Sequence, residues 1–454
     1  MSLIQIAWRN FCHRSLSSFL TTLSLALGVG LVVLVLSVFG IVTEAFSRNA
    51  SVGYNLVVGP KGSALQLTLN SVYYLSQPIE NLPFTEYMEF FDAADRAEMV
   101  RKYGGDPALG ERDGEYAAFI AGGYAIPLAL GDYVGEFRAV GTTPDFFENL
   151  RHGPNVDEKF RFKEGRAFKG YSDENSYFEA VLGSRVASEM DVHVGQMFYP
   201  THGDPEGQGH GQGFAVVGIL EPTGTPNDRA AFVNLEGFYL LENHSKPLTG
   251  DETIVENDDW KSRDPDHKPL TIPEREVTSI LIRNGNLMFA PGMQNKINEG
   301  LQSQAAAPVG EIAKLMTAIV GPLLKALLAI TLITCVVAAV GVLVAIYNSM
   351  NDRRRDIAVM RALGARRETV TTIILAESLI IALIGGLCGW FLAHFAILAA
   401  SGYIEEQTGV QVTLFTTSSY ELAILPLVIA LALLAGFLPA WSAYRTDVGS
   451  NLAA

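Results

Sequence analysis

The chain contains, at residues 15–43, the stretch SLSSFLTTLSLALGVGLVVLVLSVFGIVT, which has no Asp, Glu, Lys or Arg. A helix of roughly 20 apolar residues crosses the roughly 30 Å of hydrocarbon in a bilayer, so this stretch is long enough to span it. Three further stretches of the same kind lie at 326–351, 378–404 and 422–444. The first stretch is too long for the apolar region of a signal peptide, and no small-residue cleavage pattern follows it. The sequence therefore predicts four transmembrane helices, the first of them a retained anchor.

The composition agrees with a membrane protein. Of the 454 residues, 49% are hydrophobic and 18% are charged, whereas soluble domains have about 25% charged residues. The net charge is −15, and this excess of acidic residues argues against nucleic acid as a partner, because phosphate binding depends on basic patches. Residues 44–310 alone carry 22 basic and 39 acidic residues, a net charge of −17. The acidity therefore belongs to one block that faces water.

Arginines next to the apolar stretches predict the topology, because cytoplasmic loops are enriched in Arg and Lys. Arg9 and Arg14 precede the first span, and Arg445 follows the fourth. Six more lie between the second and third spans: Arg353, Arg354, Arg355, Arg361, Arg366 and Arg367. The linker at 405–421 has three Glu and no Lys or Arg. Both termini are therefore predicted to be cytoplasmic, and residues 44–310 to be outside the cytoplasm.

The 44–310 block reads as a mixed α/β domain. Its length exceeds the usual domain size of about 100–150 residues, so two lobes are expected. Short β-rich runs bounded by turn residues predict strands at 55–58, 136–140, 214–220 and 279–282, and short helices are expected at 143–150 and 184–190. The polar, proline-rich residues 243–273 are interpreted as a long connection. All three cysteines lie in or beside apolar stretches, so no disulfide framework supports this domain.

These arguments predict an α-helical membrane protein with four transmembrane helices and a large mixed α/β extracytoplasmic domain between helices 1 and 2. The predicted segments are 1–14, an interfacial amphipathic helix in the cytoplasm; 15–43, transmembrane helix 1; 44–310, the extracytoplasmic domain; 311–350, a stalk and transmembrane helix 2; 351–369, a cytoplasmic helix; 370–404, transmembrane helix 3; 405–421, an external linker; 422–444, transmembrane helix 4; and 445–454, a cytoplasmic tail.

The region before the second span has an apolar face with helical spacing. Its members include Ile312, Leu315, Met316, Ile319 and Leu323. One interpretation is a helix that packs on its own domain. The other is a stalk that pairs with a partner and transmits motion between the membrane and the external domain.

Residues 351–369 are the most informative part of the chain. Asp356 near the start of a short helix and Gly364 just past its end fit the preferences of helix termini. Ile357, Met360 and Leu363 would give this cytoplasmic helix an apolar ridge. A loop that only enforces topology needs arginines but no such ridge, so the ridge predicts a cytoplasmic protein partner.

Several motifs resemble the MacB/FtsX-type permeases of ABC transporters. The C-terminal ones are DRRRDIAVMRALGARRETV (352–370), ILAESLIIALIGGLCG (374–389) and LPAWSAYRTDVGSNL (438–452), and IAWRNFCHRSLSSFLTTLSLALGVG (6–30) resembles the first helix and span of that family. In the external block, RAVGTTPDFFENL (138–150), FKEGRAF (162–168), AVLGSRVASEMDVHVGQMF (180–198) and FAVVGILEPTG (214–224) resemble the MacB-type periplasmic core domain, in the same order. NLVVGPKGSALQLTLNSVYYL (55–75) and residues 243–273 match the family pattern less well.

The resemblance implies a multi-pass protein of the bacterial inner membrane with one long external domain, pairing of two permease chains as a homodimer or heterodimer, and a separate ATPase that binds ATP and Mg. The cytoplasmic helix then resembles the family's coupling helix, which contacts the ATPase through Arg354, Asp356, Ile357, Met360, Arg361, Leu363 and Gly364. The chain contains no G-x-x-x-x-G-K-[ST] sequence, so it is expected to be a non-catalytic permease subunit with no cofactor of its own.

Two functions fit this resemblance. The first is export or extraction of a peptide, drug, lipid or lipoprotein, with a periplasmic adaptor or substrate protein as a further partner. The second is an FtsX-like signalling or scaffold subunit that regulates a periplasmic partner without transport. An ion-coupled secondary transporter would need several intramembrane ionisable residues and repeated halves. The spans contain only Glu377 and His394 of this kind, and the sequence shows no repeat.

Polar and small residues of the third span are secondary candidates. Glu377 is interpreted as a structural ion pair or, alternatively, a proton relay, and His394 as a hydrogen-bonded residue between helices or a transport ligand. Gly385 and Gly389 form a G-x-x-x-G motif, which allows close helix packing within the bundle or a dimer.

One external loop carries weak candidates for a metal site. THGDPEGQGHGQGF (201–214) contains His202 and His210 together with Asp204 and Glu206. Flexible loops rich in His and acids bind zinc in some proteins, but this spacing is not that of a fixed site. The alternative is a solvated loop, and the sequence predicts no firm metal site.

Overall fold

The computed structural model describes residues 3–13, 15–49, 53–152, 157–207, 209–247, 267–352 and 364–403, together with Pro426 and Phe437. The chain forms two compact units. We call Ala45–Met316 the α/β unit, and Met1–Glu44 with Thr317–Ala454 the helical unit.

The α-helices are numbered in chain order. They are α1 (Leu3–His13), α2 (Ser15–Asn49), α3 (Ala64–Tyr73), α4 (Phe84–Met88), α5 (Ala93–Tyr103), α6 (Ala117–Ile120), α7 (Asp145–Asn149), α8 (Ser184–Met190), α9 (Leu235–Tyr239), α10 (Ala290–Glu299), α11 (Pro308–Leu315), α12 (Gly321–Asp352) and α13 (Arg367–Ala399).

The strands are β1 (Leu56–Pro60), β2 (Leu82–Pro83), β3 (Tyr124–Val134), β4 (Phe137–Thr142), β5 (Phe162–Gly165), β6 (Glu179–Leu182), β7 (Met197–Phe198), β8 (Thr201–His202), β9 (Phe214–Leu220), β10 (Ala230–Asn234), β11 (Glu276–Val277), β12 (Ser279–Arg283) and β13 (Ser303–Ala306).

Three helices among the described residues are long and apolar enough to cross a membrane. The qualifying stretches are Ser18–Ile41, Pro308–Gly341 and Glu368–Ala399. The fourth predicted span, 422–444, lies outside the described residues except for Pro426 and Phe437. The prediction of a membrane protein with a large mixed α/β domain is therefore confirmed, and the fourth helix stays a prediction.

Within the helical unit, the short helix α1 packs against α13. Ala7 is fully buried, while Trp8 is half exposed. A second core joins α2 to α13 and includes Leu25, Val29, Val33 and Ala382.

One sheet runs through the α/β unit in the order β13-β1-β12-β3-β4-β10-β6-β9-β5, with β8 paired to β3 and β7 paired to β9. The pairs β4–β10 and β6–β9 are parallel, and the other pairs in this sheet are antiparallel. The strands predicted at 55–58, 136–140, 214–220 and 279–282 are confirmed as β1, β4, β9 and β12. The 11-residue strand β3 pairs with β12 on one side and β4 on the other, so the sheet runs without a break through a single compact unit, and the expected division into two lobes stays a prediction.

Aromatic side chains fill the core on one face of the sheet. Phe146 and Phe147 of α7 pack on Phe232 of β10, with ring centroids 4.6 and 5.6 Å from it. Separate cores form around Phe214 and around Met88. Buried aromatic pairs contribute about 0.5–1.5 kcal/mol beyond the area that they bury, so these clusters stabilise the unit without disulfides.

Candidate functional site

The G-x-x-x-G motif of α13 lies against α2. A Cβ atom added to Gly389 would be 2.4 Å from the carbonyl oxygen of Ala26, and one added to Gly385 would be 3.1 Å from that of Thr22. A Cβ on Gly30 would likewise be 3.1 Å from the Gly389 carbonyl oxygen. The glycines therefore let the two helix backbones approach closely, as small residues do in membrane bundles.

The polar residues of the same helix are buried. Glu377 and His394 are 8% and 3% exposed, and both have interaction partners. Nδ1 of His394 lies 3.1 Å from the carbonyl oxygen of Trp390, which can only accept, so the imidazole donates within its own helix. The Trp390 indole and the His394 imidazole also pack together, with ring centroids 4.1 Å apart.

Most of the predicted coupling helix lies outside the described residues. Its candidates there are Arg354, Asp356, Ile357, Met360, Arg361 and Leu363. Gly364 is described and has φ of +99°, which favours glycine and is typical of the residue just past a helix. α13 begins three residues later, at Arg367.

The candidate stalk residues divide into two groups. Ile312 of α11 is 1% exposed and belongs to the core of the α/β unit, and Leu315 and Met316 pack against that core. Ile319 and Leu323 are 61% and 59% exposed. A π-helical turn at Met316–Val320 separates the two groups. Such a turn fits the sequence, because Pro322 lacks the N–H that an α-helix needs there.

A group of histidines meets one carboxylate in the α/β unit. Its members are Asp132, His202, His210 and His244, and each offers one ligand atom within 4.8 Å of the others. We call this group the His–Asp cluster. The sequence singled out His202 and His210, and the structure adds Asp132 and His244.

The fold brings two cluster residues together by strand pairing. Asp132 of β3 lies opposite His202 of β8. The register between β3 and β4 shifts between Leu130 and Tyr133, next to Asp132. Such irregularities re-aim side chains, and here the Asp132 side chain is completely buried.

The glycine-rich loop brings the other predicted histidine to the same place. A bridge between Thr201 and Gly209 closes the loop, and the His210 N–H donates to the Pro200 carbonyl oxygen at 2.9 Å. A Cβ on Gly207 would lie 2.8 Å from the His202 carbonyl oxygen, so the tight turn requires glycine there. These contacts bring the imidazoles of His202 and His210 together, with ring centroids 5.7 Å apart.

The fourth member follows α9. Asn243 has φ of +66°, a left-handed conformation that asparagine tolerates, and it turns the chain just before His244. The His244 ring stacks on Phe238 with centroids 4.5 Å apart and an interplanar angle of 4°. Nδ1 of His244 lies 2.9 Å from the Phe238 carbonyl oxygen and must therefore donate to it.

The ligand atoms of the His–Asp cluster are close to one another. Nε2 of His244 is 3.2 Å from Oδ1 of Asp132 and 3.2 Å from Nδ1 of His202. Nδ1 of His202 is 3.3 Å from the same Oδ1. Nε2 of His210 is 3.0 Å from Oδ2 of Asp132.

Burial differs across the cluster. The side chains of Asp132, His210 and His244 are 0%, 4% and 7% exposed, whereas that of His202 is 53% exposed. Burial lowers the pKa of His210, although the Asp132 carboxylate acts in the opposite sense. The cluster is therefore a nearly closed site with His202 at its mouth.

The two acids of the glycine-rich loop take no part in the cluster. Asp204 and Glu206 are exposed, and Oδ1 of Asp204 accepts a hydrogen bond from the Glu206 N–H at 3.0 Å. Asp132 and His244 were missed in the sequence because each lies far along the chain from the loop. The one local signal was His244 itself, at the start of the polar residues 243–273.

Comparison with known proteins shows two family matches along the chain. Residues 18–259 match the MacB-like periplasmic core domain, and residues 328–448 match the FtsX-like permease C-terminal domain. The first match covers more than half of the chain.

Relatives with assigned names agree with these matches. The macrolide export ATP-binding/permease protein MacB of Campylobacter jejuni is 24% identical over 409 residues, which cover 87% of this chain and 53% of the relative. The protein of the same name in Bordetella avium is 26% identical over 291 residues, 62% of this chain and 40% of the relative. An uncharacterised ABC transporter permease of Methanocaldococcus jannaschii is 21% identical over 296 residues, 64% of this chain and 65% of the relative. The chain thus spans about half the length of these relatives.

Proposed function

The chain belongs to the family that joins a MacB-like periplasmic core domain to an FtsX-like permease C-terminal domain, and from this membership we propose that it is the permease subunit of an ATP-driven ABC transporter. The observation that carries the proposal is the order of the two matched regions along the chain. The apolar stretch Ser18–Ile41 lies at the start of the first region, Pro308–Gly341 overlaps the start of the second, and Glu368–Ala399 lies within the second. The resemblance of the coupling segment supports it further.

The proposed location is the bacterial inner membrane, with the α/β unit on the periplasmic side. The six arginines between the second and third spans support this orientation, together with Arg9, Arg14 and Arg445 beside the first and fourth spans. Both chain termini then lie in the cytoplasm.

The chemical step belongs to a partner in this proposal. A separate ATPase binds ATP and Mg and hydrolyses ATP, and residues 351–369 receive its motion. Two permease chains pair, each with its ATPase. Substrate, a peptide, drug, lipid or lipoprotein, is exported or extracted on the periplasmic side, with a periplasmic adaptor as a further partner.

The contacts of α11 support a mechanical role for the α/β unit. The chain is helical from Pro308 to Asp352, with the π-helical turn inside this stretch. α11 packs on α3 through the buried side chain of Ile312. The chain continues from α11 into α12, so motion of α12 would be passed to the segment that packs in the core of the α/β unit.

The test is co-purification of an ATPase. The full chain is tagged, expressed in its native host and purified from the membrane fraction in mild detergent. The eluate is analysed by mass spectrometry for an ABC ATPase and is assayed for ATP hydrolysis. We expect the ATPase to be present and active. The double variant Met360→Glu, Leu363→Glu should insert normally and lose the ATPase, because two charges on the apolar ridge oppose burial against a partner.

The matched control is Ala362→Glu, which by helical periodicity lies on the opposite side of the same segment. It should retain the ATPase. A chain that purifies without an ATPase contradicts the proposed function, and loss of the ATPase in both variants contradicts the assignment of the ridge.

A further inference from the structure

Three of the separations within the His–Asp cluster are close to those around a tetrahedral metal ion, and all four ligand atoms lie within 4.8 Å of one another. Bonds of about 2.0–2.1 Å to nitrogen and oxygen place tetrahedral ligand atoms about 3.3–3.4 Å apart. The distances among Asp132 Oδ1, His202 Nδ1 and His244 Nε2 are 3.2, 3.2 and 3.3 Å. His210 Nε2 approaches the same carboxylate at 3.0 Å.

Hydrogen bonding within the cluster leaves buried polar atoms without partners. Because Nδ1 of His244 donates to a backbone carbonyl, Nε2 of the neutral ring presents a lone pair to the Asp132 carboxylate, and two acceptors oppose each other. Oδ2 of Asp132 and Nε2 of His210 are both buried, and neither makes a hydrogen bond of acceptable geometry. A proton on Nε2 of His244 would relieve only its contact with the Asp132 carboxylate. One metal ion would instead accept a lone pair from each of the four side chains of the cluster.

The surroundings resemble those that hold a metal ligand in place. Metal-binding histidines usually donate their second ring nitrogen to a carbonyl or carboxylate, which fixes the tautomer and the ring. The Phe238 carbonyl does this for His244, and the Phe238 ring stacks on the imidazole. The site is therefore preorganised.

We propose that one divalent transition-metal ion binds to four ligands of the α/β unit: Asp132, His202, His210 and His244. Three imidazoles and one carboxylate in a tetrahedral arrangement fit Zn²⁺, whereas Ca²⁺ and Mg²⁺ prefer oxygen ligands in larger numbers. Four protein ligands close the coordination sphere, which is typical of a structural or regulatory zinc site rather than a catalytic one.

Bound zinc would join three segments that are distant in sequence. The ligands come from β3, from β8 and the loop that follows it, and from the residues after α9. The exposed His202 gives the ion access from solvent. This inference does not depend on the proposed transport function, and its test requires no ATPase.

The experiment is a zinc titration of the full chain. The protein carries a tag without histidine, is stripped with EDTA in detergent, and is titrated with Zn²⁺ against a chromophoric chelator at neutral pH. We expect one equivalent to bind. Cobalt, titrated in the same way, should give the visible absorption of tetrahedral Co²⁺ and should be displaced by zinc.

Variants identify the ligands. His202→Ala removes a half-exposed ring and leaves the core packing intact, and Asp132→Asn keeps the shape of the buried carboxylate. Each should weaken zinc binding at least about tenfold, because loss of even an outer-shell partner of a zinc ligand costs about 10–100-fold. His193→Ala is the matched control, since this histidine lies in the same unit with its side chain 66% exposed, and it should bind zinc normally.

Three results would overturn the proposal. The first is that the unaltered chain does not bind zinc stoichiometrically. The second is that the unaltered chain and the His202→Ala variant bind zinc with equal affinity. The third is that bound Co²⁺ gives the spectrum of an octahedral rather than a tetrahedral site.

Discussion

Replacement of Arg275 with methionine is expected to destabilise the α/β unit strongly, because it leaves a buried carboxylate without its partner. The Arg275 side chain is completely buried, and its two Nη atoms hydrogen-bond both carboxylate oxygens of Glu236. Its Nε donates to the Leu270 carbonyl oxygen at 2.8 Å, and its Cζ lies 3.5 Å from the Tyr103 ring centroid. Glu236 belongs to α9, the helix that precedes His244 of the His–Asp cluster.

The magnitude follows from this burial. Burial alone would raise the pKa of Glu236, but the Arg275 guanidinium more than offsets it, so the pKa lies below its usual range. Removal of one partner from a buried ion pair costs about 3–5 kcal/mol. At about 1.4 kcal/mol per factor of ten, the opening equilibrium of nearby strands should increase by about two to three and a half powers of ten.

Hydrogen exchange read by mass spectrometry measures this locally in the full chain. Peptides that cover β10 and β12 report the free energy of opening for the strands next to the pair. Their amides should exchange faster in Arg275→Met, by about two to three and a half powers of ten. The double variant Glu236→Met, Arg275→Met should recover most of the loss, because it leaves no buried charge.

The control breaks an exposed ion pair in the same unit. Arg185 and Glu189 are 2.8 Å apart, with side chains 23% and 41% exposed. Arg185→Met should cost about 0.3–0.5 kcal/mol, as exposed helix pairs do. The reasoning fails if Arg275→Met costs no more than Arg185→Met, or if the double variant is as unstable as the single one.

Three other predictions follow from described contacts. The Arg166 guanidinium more than offsets the effect of burial and lowers the pKa of Glu179 to about 2, below the usual 4.5 of a glutamate. Stability from this pair is therefore complete above pH ~4.5 and is lost as the pH falls toward ~2. Acid unfolding of Glu179→Gln should lack that component, and an unchanged acid profile would contradict the pairing. Gly389→Val should separate the first and third membrane helices, since even its Cβ would lie 2.4 Å from a backbone oxygen, and a lower thermal midpoint in detergent is expected. Ile312→Ala should cost about 2–5 kcal/mol by the same exchange measurement, whereas the exposed Ile319→Ala should be nearly neutral; equal effects would show that α11 does not share the core.

Composition made the membrane helices the most predictable part of the fold. Uncharged stretches must be helical in lipid, where no water satisfies the backbone. α2 nevertheless extends from Ser15 to Asn49, beyond the predicted end at residue 43. The apolar stretch defines the part that can lie in hydrocarbon, and a helix can continue past it into water with charged residues such as Glu44.

The strands were predictable where turn residues bound a β-rich run, as at β9. Their order in the sheet was not, because pairing depends on contacts between distant residues. Strand β3 was not among the predicted strands, and nothing in its sequence indicates that Asp132 lies opposite His202. The same non-local pairing hid two members of the His–Asp cluster.

The stalk illustrates a local pattern with two structural meanings. Ile312 and Ile319 lie on one face by periodicity, yet the first is buried in the α/β unit and the second is exposed. Helical spacing identifies a face but does not identify what covers it. The sequence therefore left both alternatives open.

The places where the α/β unit joins the rest of the chain have a consequence for its evolution. β1 and β13 are adjacent and antiparallel, with Val57 opposite Ala306, so the chain enters and leaves the unit side by side at one end of the sheet. Paired antiparallel residues are only about 4.5–5.5 Å apart, and domains whose ends meet in this way tolerate insertion into another chain. The segment from β1 to β13 thus has the geometry of an exchangeable domain: another domain with adjacent ends could take its place between the first and second membrane helices.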